Sequence, residues 1–391
     1  MNIGQQSKNQ KQSGNLFEYV ERFSRKVPLT KLYVEPTTQC NLQCRTCIRN
    51  SWDEPIGFMD MNVFRRLISG IKSFRSLKRV AFWGFGEPLV HPEIVKMVAL
   101  THQAGLQTEI VTNGHLLDHD TAQALIHAGL DALVVSVDGV TPSSYEDIRP
   151  GGDLSQVEDN IRRLNLLREN GNKPALGLEF VMMKSNIGEL PGFAEKALSM
   201  NTDFIILTNL LPCTEDMKDE ILYWMSATVN DREERPRGSS QLQLPRMDMR
   251  PEYWNPLWEF LKTLNWDLPA HQDIPAGYSC PFVHKSSAAI TWSGEVSPCV
   301  ALMHSYRSFI LGREKRFERC SFGNLARESF TDIWNRKSFR RFRNKVLSFD
   351  FAPCVECSGC TLSETNQEDC LGNTHPVCGD CLWAKGVLLC P

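Results

Sequence analysis

Fourteen cysteines stand in this chain of 391 residues, and their spacing is the feature from which chemistry can be read. Three lie together in Cys40-Asn-Leu-Gln-Cys44-Arg-Thr-Cys47, a C-x3-C-x2-C run, Cys213 stands alone, and ten fall from Cys280 onward. In a reducing compartment so many cysteines serve as metal ligands more often than as disulfides. A [4Fe–4S] cube needs four ligands, so three close thiolates with no fourth nearby leave one iron open to another molecule. Zinc is the structural alternative, since Cys3His sites exist. The spacing is not a C-x2-C knuckle, however, and the early histidines, His91 and His102, are distant. Three merely buried thiols are the remaining reading.

The second group reads Cys280-x13-Gly294-x4-Cys299 and, after a gap, Cys354-x2-Cys357-x2-Cys360-x9-Cys370-x7-Cys378-x2-Cys381-x8-Cys390. Nine cysteines exceed the eight that two fully ligated [4Fe–4S] clusters need, so one is spare or one site is open. Zinc ribbons also suit C-x2-C pairs. Cys213 reads as a buried or lining thiol, and Cys320 has no close cysteine neighbour in sequence; both are set aside as ligands.

These residues must be positioned by a frame. Short β-type runs at 32–35, 79–83, 107–112, 132–137, 176–183 and 204–208 alternate with helical patterns near 60–74, 92–105, 118–128, 155–170 and 187–200. Gly105, Gly129 and Gly171 follow three of the helical patterns, where a helix end favours glycine. The alternation predicts an α/β fold with a parallel sheet and right-handed crossovers, either doubly wound or a partial (β/α) barrel, with the active site at the carboxyl ends of the strands. Residues 1–28 read as a tail, 29–212 as the α/β domain, 213–275 as a linker with bridging helices, and 276–391 as a loop-rich cluster domain. That last segment has too few periodic apolar residues to stand on core burial alone, which suits stabilisation by metal clusters.

Composition bounds the rest. With 42% hydrophobic and 23% charged residues the chain reads as globular, neither fibrous nor disordered. Its longest apolar runs, such as 132–135 and 204–207, are too short to cross a bilayer, and residues 1–16 lack an apolar leader segment. A cytoplasmic protein with no membrane partner is expected. A net charge of −3 argues against nucleic acid as a partner. The basic run from Arg336 to Lys345 reads as a solvated face of a helix packed on the cluster domain, and Trp254, Trp258 and Trp266 as core or inter-domain contacts. No spacing marks a general acid or base.

The C-x3-C-x2-C run directly after the first predicted strand resembles that of the radical S-adenosylmethionine (radical SAM) enzymes, over roughly residues 30–212. The resemblance implies a partial (β/α)6 TIM-type barrel in which Cys40, Cys44 and Cys47 hold a [4Fe–4S] cluster. Its open iron would chelate the amino and carboxylate groups of SAM, and one electron would split the sulfonium to a 5′-deoxyadenosyl radical. Thr46 departs from the pattern, which has an aromatic residue before the third cysteine. Gly84-Phe85-Gly86-Glu87-Pro88 looks like the family's Gly-Gly-Glu-Pro segment, with Phe85 replacing a glycine. Small residues there let backbone approach a ligand, and Glu87 offers an acceptor to an amine. Asn113, ending the third strand, serves SAM or caps a turn. By the same resemblance Ser136 is assigned to the ribose or carboxylate and Arg149 to the SAM carboxylate, with a surface ion pair as the alternative for Arg149. Glu179 and Met183 either reach the cofactor or face the barrel interior.

The start of the tail resembles the auxiliary-cluster extension called SPASM, supported by Gly323-Asn324-Leu325, Ile333-Trp334 and the stretch 339–343. The resemblance makes Cys280, Cys299, Cys354, Cys357, Cys360, Cys370, Cys378, Cys381 and Cys390 ligands of two auxiliary [4Fe–4S] clusters. The later spacing departs from that pattern and leaves the pairing open. The ending, 369–391, resembles radical SAM proteins associated with tungsten-containing aldehyde ferredoxin oxidoreductases. It implies maturation of a tungsten–pterin cofactor or of its client protein, with electrons from a ferredoxin or flavodoxin. A peptide-modifying or sulfatase-type maturase is the alternative among enzymes. A non-catalytic iron–sulfur carrier or zinc scaffold is the alternative of another class; it would not need the strand-end residues.

Overall fold

Aliphatic and β-branched runs bounded by glycine and polar turns form parallel strands, each followed by a helix. A computed structural model describes residues 28–168, 173–228, 242–266, 279–357 and 360–390. In order these give β1 (Lys31–Val34), α1 (Met61–Ile71), β2 (Arg79–Phe82), α2 (Ile94–Gln103), β3 (Gln107–Thr112), α3 (His119–His127) and β4 (Ala132–Ser136). There follow α4 (Pro142–Ile148), α5 (Leu154–Leu167), β5 (Ala175–Met182), α6 (Leu190–Ser199) and β6 (Phe204–Asn209). The strands are buried almost end to end, as a parallel sheet covered on both faces requires. Gly105 and Gly129 take φ of 75° and 88° at helix ends, as expected, while Gly171 and most of the 1–28 tail lie outside the described residues. α4 is too short for its periodicity to predict. Its start is nonetheless marked by Pro142 and a capping box between Thr141 and Ser144, and its C-cap is Arg149.

The sheet is longer than the barrel predicted. Its order is β7-β6-β5-β4-β3-β2-β1-β8-β9, with β7 (Leu242–Gln243) beyond β6 and β8 (Ser287–Ile290) parallel to β1 in the register Lys31↔Ser287 to Val34↔Ile290. The tail segment thus continues the barrel sheet, and β9 (Val296–Ser297) turns back antiparallel on β8. A separate hairpin, β10 (Tyr306–Ile310) with β11 (Arg313–Phe317), follows.

Part of 213–275 lies outside the described residues; the remainder includes a helix, Pro251–Thr263, whose Phe260 stacks on Phe193 of α6 at 6.2 Å. Trp254 and Trp266 pack on the core, but Trp258 is 41% exposed and is not the buried contact expected. The region of the basic run forms two helices, Phe330–Asn335 and Lys337–Ser348, because Arg336 takes ψ of 138° between them. The basic run is not wholly solvated either. Arg343 is buried with its guanidinium 3.9 Å from the Trp334 ring centroid and 4.4 Å from that of Phe339, and burial lowers its pKa to about 10.

The two parts are clasped by a buried charge triad. His304, 2% exposed, donates from Nε2 to Glu35 Oε2 at 2.8 Å and from Nδ1 to Glu54 Oε2 at 2.5 Å. Glu35 follows β1, Glu54 follows the cysteine loop, and His304 belongs to the tail segment. Burial opposes the charge on the ring, but the two carboxylates overcome it and raise the imidazole pKa from 6.5 to about 9. A group whose folded pKa is raised stabilises fully below its unfolded pKa and stops doing so as pH rises through the folded value. The thermal midpoint is therefore expected to fall by several degrees between pH 7 and pH 10, with a smaller fall in His304→Gln. Equal falls in both proteins in a pH series of melting curves would remove this assignment.

Candidate active site

Cys40, Cys44 and Cys47 lie on the loop after β1, and the loop is organised by one arginine. Arg49 donates from Nη1 to Thr38 O at 3.1 Å and from Nη2 to Leu42 O at 2.9 Å, and its Nε lies 3.4 Å from Cys47 Sγ. A planar fork with fixed donors suits this three-way tie. Sequence reasoning missed Arg49, since a single arginine two residues past a cysteine carries no distinguishing spacing. On the other side Asn113 donates to Asn41 Oδ1 at 2.9 Å and comes within 3.8 Å of Cys40 Sγ. Burial pushes the Cys44 thiol up to about 11, against the pull of Arg149.

The three thiols open on a cavity of about 260 Å³ at the carboxyl ends of the strands. Gly84, Gly86, Glu87, Asn113, Ser136 and Arg149, each a predicted SAM contact, all lie on its wall. Glu179 lines it too, whereas Met183 packs away from it with Ile148, Leu210 and Met217, which separates the two readings left open for that strand.

The reasons these residues are needed differ from those expected. A Cβ on Gly86 would meet the backbone oxygens of Thr37 and Gln39, and one on Gly84 would fall 2.8 Å from both Cβ and Oε1 of Glu35. The glycines therefore let the loop after β2 press on the loop after β1, and only through that contact shape the cavity. Gly86→Ala is expected to cost about 1–3 kcal/mol, because a backbone atom cannot step aside as a side chain can. It should also lower the iron bound on reconstitution; full iron loading and an unchanged melting point would contradict this. Glu87 has its carboxylate occupied: Oε1 accepts from Thr112 Oγ1 at 2.7 Å and Leu89 N at 3.0 Å, and Oε2 accepts from Asn113 N at 2.7 Å. Its side chain thus pins Asn113 at the end of β3, and burial raises its pKa.

Arg149 is not a surface ion pair. It is 7% exposed and donates from Nε and Nη2 to Oδ2 of the fully buried Asp138 at 3.0 and 2.7 Å, while Asp138 Oδ1 accepts from Val181 N at 2.9 Å. Although burial opposes the charge, Asp138 raises the guanidinium pKa beyond its ordinary range. Ser136 donates to Glu179 Oε2 at 2.9 Å, and burial lifts the Glu179 carboxyl to about 7.

The segment leading to Cys390 supplies one wall of the cavity. Asn209, ending β6, donates to Val387 O and to Arg246 O, both at 2.9 Å, and Leu389 N donates to Thr208 Oγ1 at 3.0 Å. Leu388, Leu389, Cys390 and Trp383 thereby stand on the wall opposite the cysteine loop, as does the buried Cys213.

Elsewhere in the tail, burial and then mutual repulsion raise the pKa values of Cys299, whose neighbouring thiols are Cys280, Cys381 and Cys378, and of Cys378, beside Cys381 and Cys280. Cys320, set aside for want of a neighbour in sequence, lies beside Cys378 in space. Cys354 faces Cys357, with Cys360 and Cys370 on the segments that follow. The segment does not lack a core, as its composition suggested: Ile290, Leu325, Phe330, Ile333, Trp334 and Phe339 join the barrel's own hydrophobic core. Neighbouring thiols with protons to release are the donor set that iron–sulfur clusters use. Both cysteine groups fit such clusters.

Two family models match the chain. Residues 34–196 match the radical SAM superfamily model, and residues 280–361 match that of the iron–sulfur cluster-binding domain SPASM. The chain is 32% identical to the tungsten-containing aldehyde ferredoxin oxidoreductase cofactor-modifying protein of Pyrococcus furiosus, over 92% of this chain and 96% of that one. It is 23% identical to the PqqA peptide cyclase of Gluconobacter oxydans over 90% of each. Among solved structures, SuiB of Streptococcus suis bound to its precursor peptide SuiA shares the fold with TM-score 0.58 and 14% identity, covering 91% of this chain and 76% of that one. The enzyme anSMEcpe with bound AdoMet does so with TM-score 0.54 and 16% identity, covering 86% of this chain and 85% of that one. No helix among the described residues is long and apolar enough to cross a membrane.

Proposed function

Because this chain belongs to the radical SAM superfamily and carries the family's iron–sulfur extension, we propose that it modifies a tungsten–pterin cofactor or the client oxidoreductase that receives it. The observation that carries this reading is the likeness to the Pyrococcus cofactor-modifying protein. It runs over 92% of this chain and 96% of that one. With its cluster and SAM bound, the site supplies a carbon-centred radical from SAM.

The chain's own residues do the rest. Arg49 and Asn113 hold the three thiolates of the loop in place from opposite sides. Arg149, kept charged by Asp138, presents a cation on the cavity wall where a carboxylate can be bound. Glu87 orients Asn113, and Leu388, Leu389 and Cys390, docked on β6, add a largely apolar wall to the cavity. A one-electron donor of the ferredoxin or flavodoxin class is the expected partner.

A second reading, modification of a peptide, draws on the PqqA peptide cyclase likeness. Anaerobic assays with the reconstituted chain distinguish the two. Release of 5′-deoxyadenosine should rise several-fold with the client oxidoreductase or its isolated tungsten–pterin cofactor. A rise with peptides of the client and none with the cofactor moves the assignment to the second reading.

A further inference from the structure

Nine tail cysteines were expected to supply auxiliary ligands, one more than two cubes need, and the structure puts one of them on the wall of the candidate active-site cavity. Cys280, Cys299, Cys378 and Cys381 crowd one another, and Cys354 faces Cys357. Cys390 has a different address. It stands on the wall of the cavity that Cys40, Cys44 and Cys47 open into, where Glu179, Lys31 and Cys381 act on it electrostatically.

The placement is built. Trp383 Nε1 donates to Cys390 Sγ at 3.0 Å, and the tail leading to it is tied to β6 through Thr208 and Asn209. We propose that Cys390 is not a cluster ligand but the cavity's hydrogen-atom donor, which quenches a carbon-centred radical formed there. The inference rests on the radical SAM reading of the cavity.

The chemistry balances. The carbon radical takes the hydrogen atom from Cys390, forming a C–H bond and breaking the weaker S–H bond, and leaves a thiyl radical on sulfur. One electron from a low-potential donor of the ferredoxin or flavodoxin class and one proton from solvent restore the thiol.

A thiol hydrogen exchanges with water and a carbon-bound hydrogen does not, which gives the test. The reconstituted holoenzyme is given SAM and dithionite in deuterated water with no other substrate, and the 5′-deoxyadenosine is analysed by mass spectrometry. Wild type should yield largely singly deuterated nucleoside. Cys390→Ala and Cys390→Ser should lose most of that deuterium while keeping the full iron content. In the untreated holoenzyme, iodoacetamide should label Cys390 ahead of the cluster-bound cysteines. Iron lost with Cys390, protection of Cys390 from alkylation, or deuterium that survives its removal or instead follows Cys213→Ala, would overturn the proposal. If wild type releases no nucleoside at all, the radical SAM reading itself fails and this proposal falls with it.

Discussion

Replacing Cys40, Cys44 and Cys47 together by alanine is expected to abolish 5′-deoxyadenosine release while leaving about two-thirds of about twelve irons in place. The cysteine loop is held in shape by Arg49 and Asn50, which donate to its carbonyls at Thr38, Leu42 and Cys44, and is tied to the barrel by Asn113 through Asn41; none of these contacts uses the sulfurs. The auxiliary thiols belong to a segment joined to the barrel through β8, on the far side of the His304 clasp. The fold should therefore survive the triple change, and the loss should be confined to the one cluster. Iron counting and nucleoside detection on the anaerobically reconstituted protein check both halves. Nucleoside release that persists, or iron that falls to nothing, would show that the two cysteine groups do not work as separate sites.

The second large effect is expected at Arg149. Arg149→Met leaves Asp138, at 0% exposure, with only the Val181 amide for its charge. Breaking a buried pair from one side costs about 3–5 kcal/mol, because the remaining charge is neither solvated nor matched. SAM affinity should fall as well, since the same guanidinium is the cation on the cavity wall. The double variant Asp138→Asn, Arg149→Met separates these roles: it should recover most of the melting temperature and none of the affinity. Recovery of both would make Arg149 purely structural, and an unchanged melting point in Arg149→Met would refute the buried pair.

What the sequence by itself determined was local. The C-x3-C-x2-C loop and the strand-end residues Gly84, Gly86, Glu87 and Asn113 were legible because each follows a recognisable strand, whereas Ser136 and Arg149 rested on the family resemblance. A parallel α/β sheet then brings the carboxyl ends of all its strands to one rim. α4 was signalled only by its capping box, since seven residues are too few to display a helical period. Other features depended on directions or on distant contacts. The side toward which Gly86 lacks a Cβ, and the burial of Asp138 as partner to Arg149, exist only once the loops are packed. Glu35 and His304 meet across 269 residues, and Cys378 comes beside Cys320 when the tail folds back. Cysteines are chemically identical, so spacing says that a metal is bound but not which thiols converge across such separations. Only the tertiary structure decided that Cys390 leaves its neighbours in sequence and stands with Cys40, Cys44 and Cys47, because docking of the chain's end on β6, through Thr208 and Asn209, carries it there.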